Sequence, residues 1–418
     1  MKHEITVEGN SQSALAGIRV LDLSSRYGHY AGKLFADLGA DVLLIEPTAG
    51  CAMRREGPFL DQRPHAEGSL SFAYFNSGKR SVGLDLATPE GRQIFLKLAA
   101  GVDLILETGR PGELAALGLG YEELRAVRQG IVVTSITPFG QAGPYAQYEC
   151  EDIVALALGG LLYLGGYPDG APMAAAGQQA WRAGEQFAAI ASMMAIYRAE
   201  DSGQGCAVDV SIQECVVLAL ENAVQFFDLE GSIRKRYGGT QKQAGTGVFP
   251  CADGMVYLMA GGVASNRFWY STVQWLIDEG VSQAEALKDD KWLDTRFLET
   301  DEARQIFLNL VIPFLASRTK AYLYTEGQRR RIPICPVSTT ADLVENRQLA
   351  HRQYFVDVPH PHSGRSLRAP GAPYGLSKTP WRIQRPAPRL GEHTFEVLSE
   401  LGYGHDDQQV LLAAEVIA

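Results

Sequence analysis

The chain has 418 residues, 46% of them apolar, enough to fill a buried core in each of two domains. Its formal charge of −10 and pI near 5.4 exclude a general nucleic-acid or anionic-membrane binder, though not a local basic pocket. Six cysteines without CxxC spacing and eight dispersed histidines, His360 and His362 among them, predict neither a disulfide framework nor a metal site.

The opening MKHEITVEGNSQS is polar and lacks the apolar centre of a secretory signal. No run of about 18 apolar residues predicts a membrane span, so a cytoplasmic protein is expected. The next 120 or so positions alternate strand and helix patterns. IRVLDLS (18–24) reads as a strand and GHYAGKLFADLGA (28–40) as a helix with a glycine stop, followed by DVLLIE (41–46) as a strand. SVGLDL (81–86) precedes a helix for which Thr88 is the expected N-cap and Pro89 the first helical residue. VDLILET (102–108), GYEELRAVRQG and IVVTSIT (131–137) complete a β/α alternation, which predicts a parallel sheet covered by helices. Ligands on such sheets bind beyond the strand C-termini.

The loop after the first strand reads SSRYGHYAG and lacks the GxGxxG turn, which argues against a nicotinamide or flavin enzyme. From 151 to 200 the pattern is two helices around a loop. Residues 225–331 differ in character, with basic and glycine-rich loops and Trp-bearing amphipathic helices, and read as a smaller α+β domain. A Pro/Gly/His-rich crossing (358–390) leads to a closing helix in GEHTFEVLSELG.

Five segments, LAGIRVLDLSS…GHYAGKLFADLGADVLLIEP, NSGKRSVGLDLATPEGR, ETGRPGELAALGLGYEEL, SITPFGQAGPY and PAPRLGEHTFEVLSELG, resemble in order and spacing the class III CoA-transferases, the family of formyl-CoA and carnitine CoA-transferases. The resemblance implies a Rossmann-like large domain from 1–224 and 332–418, a small domain from 225–331, and two subunits interlocked as rings. It also implies CoA thioesters as substrates and no permanently bound cofactor. In the family an Asp attacks the donor thioester, giving a mixed anhydride and free CoA thiolate. The covalent carboxylate divides a slow exchange into easier steps.

Here the position of that Asp falls on Trp181 when counted back from AIYRAEDSG, or on Ala180 when Gly184 is aligned with the family's glycine. Neither residue can form an anhydride. Asp169 and Glu185 are the nearest acids. Glu185 is a displaced nucleophile on one reading and an ordinary helix-start acid on the other. The family's Lys in the third strand segment is Leu44, and its Arg before "LG" is Ala116. The candidates left for CoA contact are Tyr27, Gly28 and His29 beyond the first strand, Lys79 and Arg80 in NSGKRS, Arg110 in GRPG, and Arg54 and Arg55 in CAMRREG.

Three readings follow. The first is a subunit of a heteromeric CoA-transferase that completes the site of an Asp-bearing paralogue, with the loops GGTQKQAGTG and AGGVASN over that site. Such a complex would move CoA from a donor such as succinyl-CoA to a carboxylic acid, as in heteromeric members of aromatic-degradation pathways. The second is an acyl-CoA racemase or isomerase, for which the segment holding Glu151 and Asp152 supplies no His. The third is a non-catalytic acyl-CoA-binding protein. Gly391–His393 is read as a packing signature.

Overall fold

A computed structural model of the chain describes residues 13–220, 222–238, 241–261, 267–360 and 363–418. The opening twelve residues, His362 and parts of the two glycine-rich loops (239, 240 and 262–266) lie outside the described residues. Contacts group the chain into two compact units. One comprises 1–161, 175–224 and 350–418, the other 162–174 and 225–349.

The first unit is built on six parallel strands: β1 (Arg19–Leu23), β2 (Asp41–Glu46), β3 (Arg80–Gly83), β4 (Leu104–Glu107), β5 (Val132–Thr137) and β6 (Ala207–Ser211). Their order is β3-β2-β1-β4-β5-β6, so the strand sequence reverses between β1 and β4. The β/α alternation of the sequence is thus a doubly wound sheet. Its helices include α1 (His29–Asp37), α2 (Leu70–Phe75), α3 (Pro89–Ala99), α4 (Asp152–Leu158), α5 (Gln179–Ser202) and α6 (Ile212–Leu218). Thr88 caps α3 by accepting from the Gly91 amide, with Pro89 in the first turn, as the sequence predicts. Leu21, Ile45, Val82, Phe95, Ile105 and Val133 fill one face of the sheet. The closing helix Thr394–Glu400 packs there through Val397 and Leu398. Gly391–His393 tie this end to β3: the Gly391 amide donates to Ser81 Oγ at 3.0 Å and the His393 amide to Ser81 O at 3.0 Å.

The second unit holds a three-stranded antiparallel sheet of Thr246–Cys251, Gly254–Met259 and Ile334–Pro336. Trp269, Trp275, Trp292 and Phe307 form its core, with Trp269 and Trp292 stacked at 5.2 Å. The strand Ile334–Pro336 lies beyond the expected boundary at 331/332, because its hydrogen bonds go to Gly254–Met259. Among the described residues no helix is long and apolar enough to cross a membrane.

Candidate active site

The ends of β1 and β4 open where the strand order reverses, and the loop Ser24–Gly28 leads from β1 into α1. Gly28 has φ +96°, and a Cβ there would lie 2.5 Å from both Ser24 Oγ and Thr108 Cγ2, so this turn requires glycine. The bend aims the Gly28 amide at Glu185 Oε1, 2.6 Å away. The Tyr30 amide also donates to this carboxyl.

Glu185 is fully buried. Burial pushes its carboxyl up to about 7, against the opposing pull of Arg182 and the Gly28 amide. Arg182 Nη1 lies 2.7 Å from Glu185 Oε2, and its guanidinium sits 4.0 Å above the Phe75 ring. A carboxylate held in this way presents no face to an incoming thioester. The displaced-nucleophile expectation for Glu185 therefore gains no support from its placement.

The two positions expected for the nucleophile are closed. Ala180 is fully buried and Trp181 is 1% exposed, stacked on Tyr27 at 4.5 Å with the rings 12° apart. The Trp181 amide donates to Asp152 Oδ1 at 3.0 Å, and the Ala180 amide donates to the same side chain. Asp152, from α4, thus caps the 24-residue α5, whose own first turn carries no acid. Burial raises the Asp152 carboxyl, and the two amides oppose the shift.

The predicted CoA-contact residues divide into two groups. His29, Lys79, Arg54 and Arg80 serve the interior, which differs from the expected phosphate contacts. Lys79 Nζ donates all three protons, to Asp22 Oδ2 at 2.7 Å and to His29 O and Asn76 Oδ1 at 2.8 Å each. It has no donor left for a phosphate. Arg54 forms a bidentate pair with Glu46 at 2.7 and 2.8 Å and reaches Glu67 and Pro388 O. Arg80 joins Asp41 to Glu396 and Glu400, clamping β3 to the closing helix. His29 lies between Asn76 Oδ1 and Ser25 O, and burial, aided by Lys79, pushes its imidazole down to about 4. A buried imidazole of this kind is neutral at pH 7 and poorly suited to binding an anion.

Arg55 and Arg110 are exposed on their loops, Tyr27 is half-buried and Gly28 is buried; Arg110 lines the crevice beyond β1 and β4, and Tyr27 lines a neighbouring cavity. Arg55 donates to the carbonyls of Ala49 and Gly50, while Arg110 pairs with Glu149. The crevice beyond β1–β4 encloses about 420 Å³ and is lined by Ser24, Glu46, Asp85, Glu107, Arg110 and Glu113 among others. Its acids outnumber its cations. Burial raises the Glu107 carboxyl, although Ser135 and the Gly109 amide hydrogen-bond to it.

Sequence reasoning missed Asp152 as the cap of α5, Arg26, which faces Tyr27 in a neighbouring cavity, and the acidic lining of the crevice. The acid run in QYECED was the available signal for the first.

Comparison with known proteins agrees with this architecture. Residues 15–394 match CoA-transferase family III. The chain is 42% identical over 386 residues to succinyl-CoA:(R)-benzylsuccinate CoA-transferase subunit BbsE of Thauera aromatica, covering 92% of this chain and 93% of that one. It is 31% identical over 401 residues to the succinate–glutarate CoA-transferase of Agrobacterium fabrum, covering 94% and 96%. A crystal structure of a CAIB/BAIF family protein from Brucella suis superposes with a TM-score of 0.82 at 25% identity, covering 93% of this chain and all of that one.

Proposed function

Because the chain belongs to CoA-transferase family III, we propose that it is the non-nucleophilic subunit of a heteromeric CoA-transferase, paired with an Asp-bearing paralogue. The observation that carries this reading is the start of α5. Ala180 and Trp181, the positions at which the sequence leads one to expect the family's Asp, are buried, and the nearby Glu185 is enclosed against the Gly28 amide.

The chemistry then takes place on the partner's Asp. Its carboxylate attacks the thioester carbonyl of the donor, the C–S bond breaks, and CoA leaves as thiolate from an acyl-aspartyl anhydride. The acceptor carboxylate exchanges with the donor acid on that Asp. CoA thiolate then attacks the new acyl group, releasing the product thioester and the free Asp. This chain closes the partner's site and gives the complex its architecture, two subunits interlocked as rings.

The surface of α5 supports a second chain. Ile190, Met194 and Tyr197 are 56%, 68% and 76% exposed, at helical spacing on a helix whose other face is buried. The relative at 42% identity is itself called a subunit, and its name supports succinyl-CoA as donor and an aryl-substituted succinate as acceptor. The racemase alternative needs two proton-transfer groups flanking an α-carbon. Here Glu151 is ion-paired with Arg26, and Asp152 is engaged by amides of α5.

Reconstitution tests the reading. The chain and its Asp-bearing paralogue are purified separately and together, and CoA exchange is assayed between succinyl-CoA and benzylsuccinate. Activity is expected only in the mixture. Turnover by this chain alone would overturn the assignment.

A further inference from the structure

A third cavity, of about 360 Å³, lies in the first unit and shares no lining residue with the crevice or with the cavity beside Tyr27. Its walls are α2, the antiparallel hairpin of Phe355–Pro359 and Ser366–Pro370, and the segment 387–389. Leu70, Phe72, Ala73, Val358, Leu367 and Ala387 make it mostly apolar. Two of the walls are pinned to the rest of the unit. Ser69 Oγ caps α2, accepting from the Phe72 amide at 3.1 Å and donating to Glu56 O at 2.7 Å. The Arg54 guanidinium lies 3.8 Å over the Phe72 ring and donates to Pro388 O at 3.1 Å. The space is therefore preformed, at the small end of the range for ligand sites.

The charged lining favours an anion. Arg368 and Arg389 are exposed, so they stand where the cavity opens to solvent. Arg368 has Asp357 beside it at 3.4 Å, both side chains being more than half exposed. Among the described residues the Arg389 guanidinium has no hydrogen-bond or ion-pair partner. Glu67, the one acid in the lining, is already engaged: its Oε2 accepts from Arg54 Nη1 and its Oε1 from the Leu390 amide, each at 3.1 Å. The buried His360 in the wall adds no negative charge.

We propose that this cavity binds a small carboxylic acid with an apolar body. The body enters between Phe72 of α2 and Val358 of the hairpin, and the carboxylate meets Arg389, with Arg368 beside it. Burial favours the apolar body, and a guanidinium fork matches a carboxylate. A phosphate ion would leave the apolar walls unused, and a neutral hydrocarbon would leave the arginines unused. The inference does not depend on the supporting-subunit reading.

The probe is 3-phenylpropanoate, titrated calorimetrically into the chain alone and into its complex with the paralogue. Saturable binding is expected in both. Ala73→Leu, which fills the cavity from α2, should abolish it. Arg389→Gln should weaken it about two- to fivefold, the range that one exposed ion pair provides, with a further loss when Arg368→Gln is added. The neutral 3-phenylpropanamide should bind more weakly than the acid, and equally to the parent and to the Arg389→Gln variant. Arg389 is exposed, so that variant keeps the test decisive if Ala73→Leu fails to fold. No saturable binding, binding indifferent to Ala73→Leu and Arg389→Gln, or an amide as tight as the acid would overturn the proposal. So would binding by the chain alone that disappears in the complex, which would give the cavity to the subunit interface. CoA exchange by the reconstituted pair should be the same with either variant. Failure of this site and failure of the supporting-subunit reading therefore register in different assays.

Discussion

The amide of Gly28 and the carboxyl of Glu185, 157 positions apart in the sequence, meet at 2.6 Å. This contact binds the turn after β1 to the second turn of α5, and it encloses Glu185, the acid nearest in sequence to positions 180 and 181. A left-handed glycine, a buried carboxyl and a partly buried Arg182 together form one junction beside the stacked Tyr27 and Trp181.

That junction carries a pH signature. The folded carboxyl of Glu185 titrates near 7, above the 4.5 of an exposed Glu. The folded state therefore binds the proton more tightly than the unfolded chain does. The resulting stabilisation is complete below about pH 4.5 and is lost as pH rises through 7. Its size is on the order of 3 kcal/mol by the linkage relation. Glu185→Gln should flatten this component, so the gap in denaturation midpoint between wild type and variant should change between pH 5 and pH 8. Parallel profiles would contradict the assignment.

Trp181 should prove structural. Trp181→Ala removes a buried indole and its stacking on Tyr27, at an expected cost of about 3–5 kcal/mol in folding stability, whereas Trp181→Phe should recover most of it. Denaturant titration of the two variants would separate these outcomes. A stable alanine variant would mean that the packing around Trp181 is loose.

Asp152 should behave as a cap. Asp152→Ala should destabilise the chain by about 1 kcal/mol, and Asp152→Asn should restore most of the loss, because an amide oxygen can still accept from the Trp181 and Ala180 amides. Equal losses in thermal unfolding would point to a role that requires the charge.

The two groups of cations should separate experimentally. Lys79→Ala leaves Asp22 buried without its partner, at an expected cost of about 3–5 kcal/mol in stability. Arg55→Ala should leave stability within about 0.5 kcal/mol of the parent. Thermal melts of both variants check the contrast. A well-folded Lys79→Ala protein would show that the buried network is dispensable.

The doubly wound sheet was legible because its strands are short apolar runs, each bounded by glycine, capping residues or proline, as at Thr88 and Pro89. The absence of a carboxylate at 180 and 181 was equally legible, since it is a matter of identity at known spacing. The fate of the cations was not. Lys79 and Arg54 look like solvent-facing basic residues in sequence, and only the approach of Asp22 from β1 and Glu46 from β2 makes them internal counter-ions. The cap of α5 was hidden for a related reason. Its donors lie 28 and 29 positions from its acceptor, and no local spacing rule reports a helix capped from a neighbouring helix. The third strand of the small sheet escaped because Ile334–Pro336 is too short for alternation to show.

The most direct measurement is to locate the acyl-enzyme. The mixed complex is incubated with succinyl-CoA, the anhydride is trapped with hydroxylamine, and both chains are digested and weighed by mass spectrometry. A hydroxamate is expected on the partner's Asp and none on Glu185, Asp169 or Asp152 of this chain. A hydroxamate on any of those three residues would contradict it.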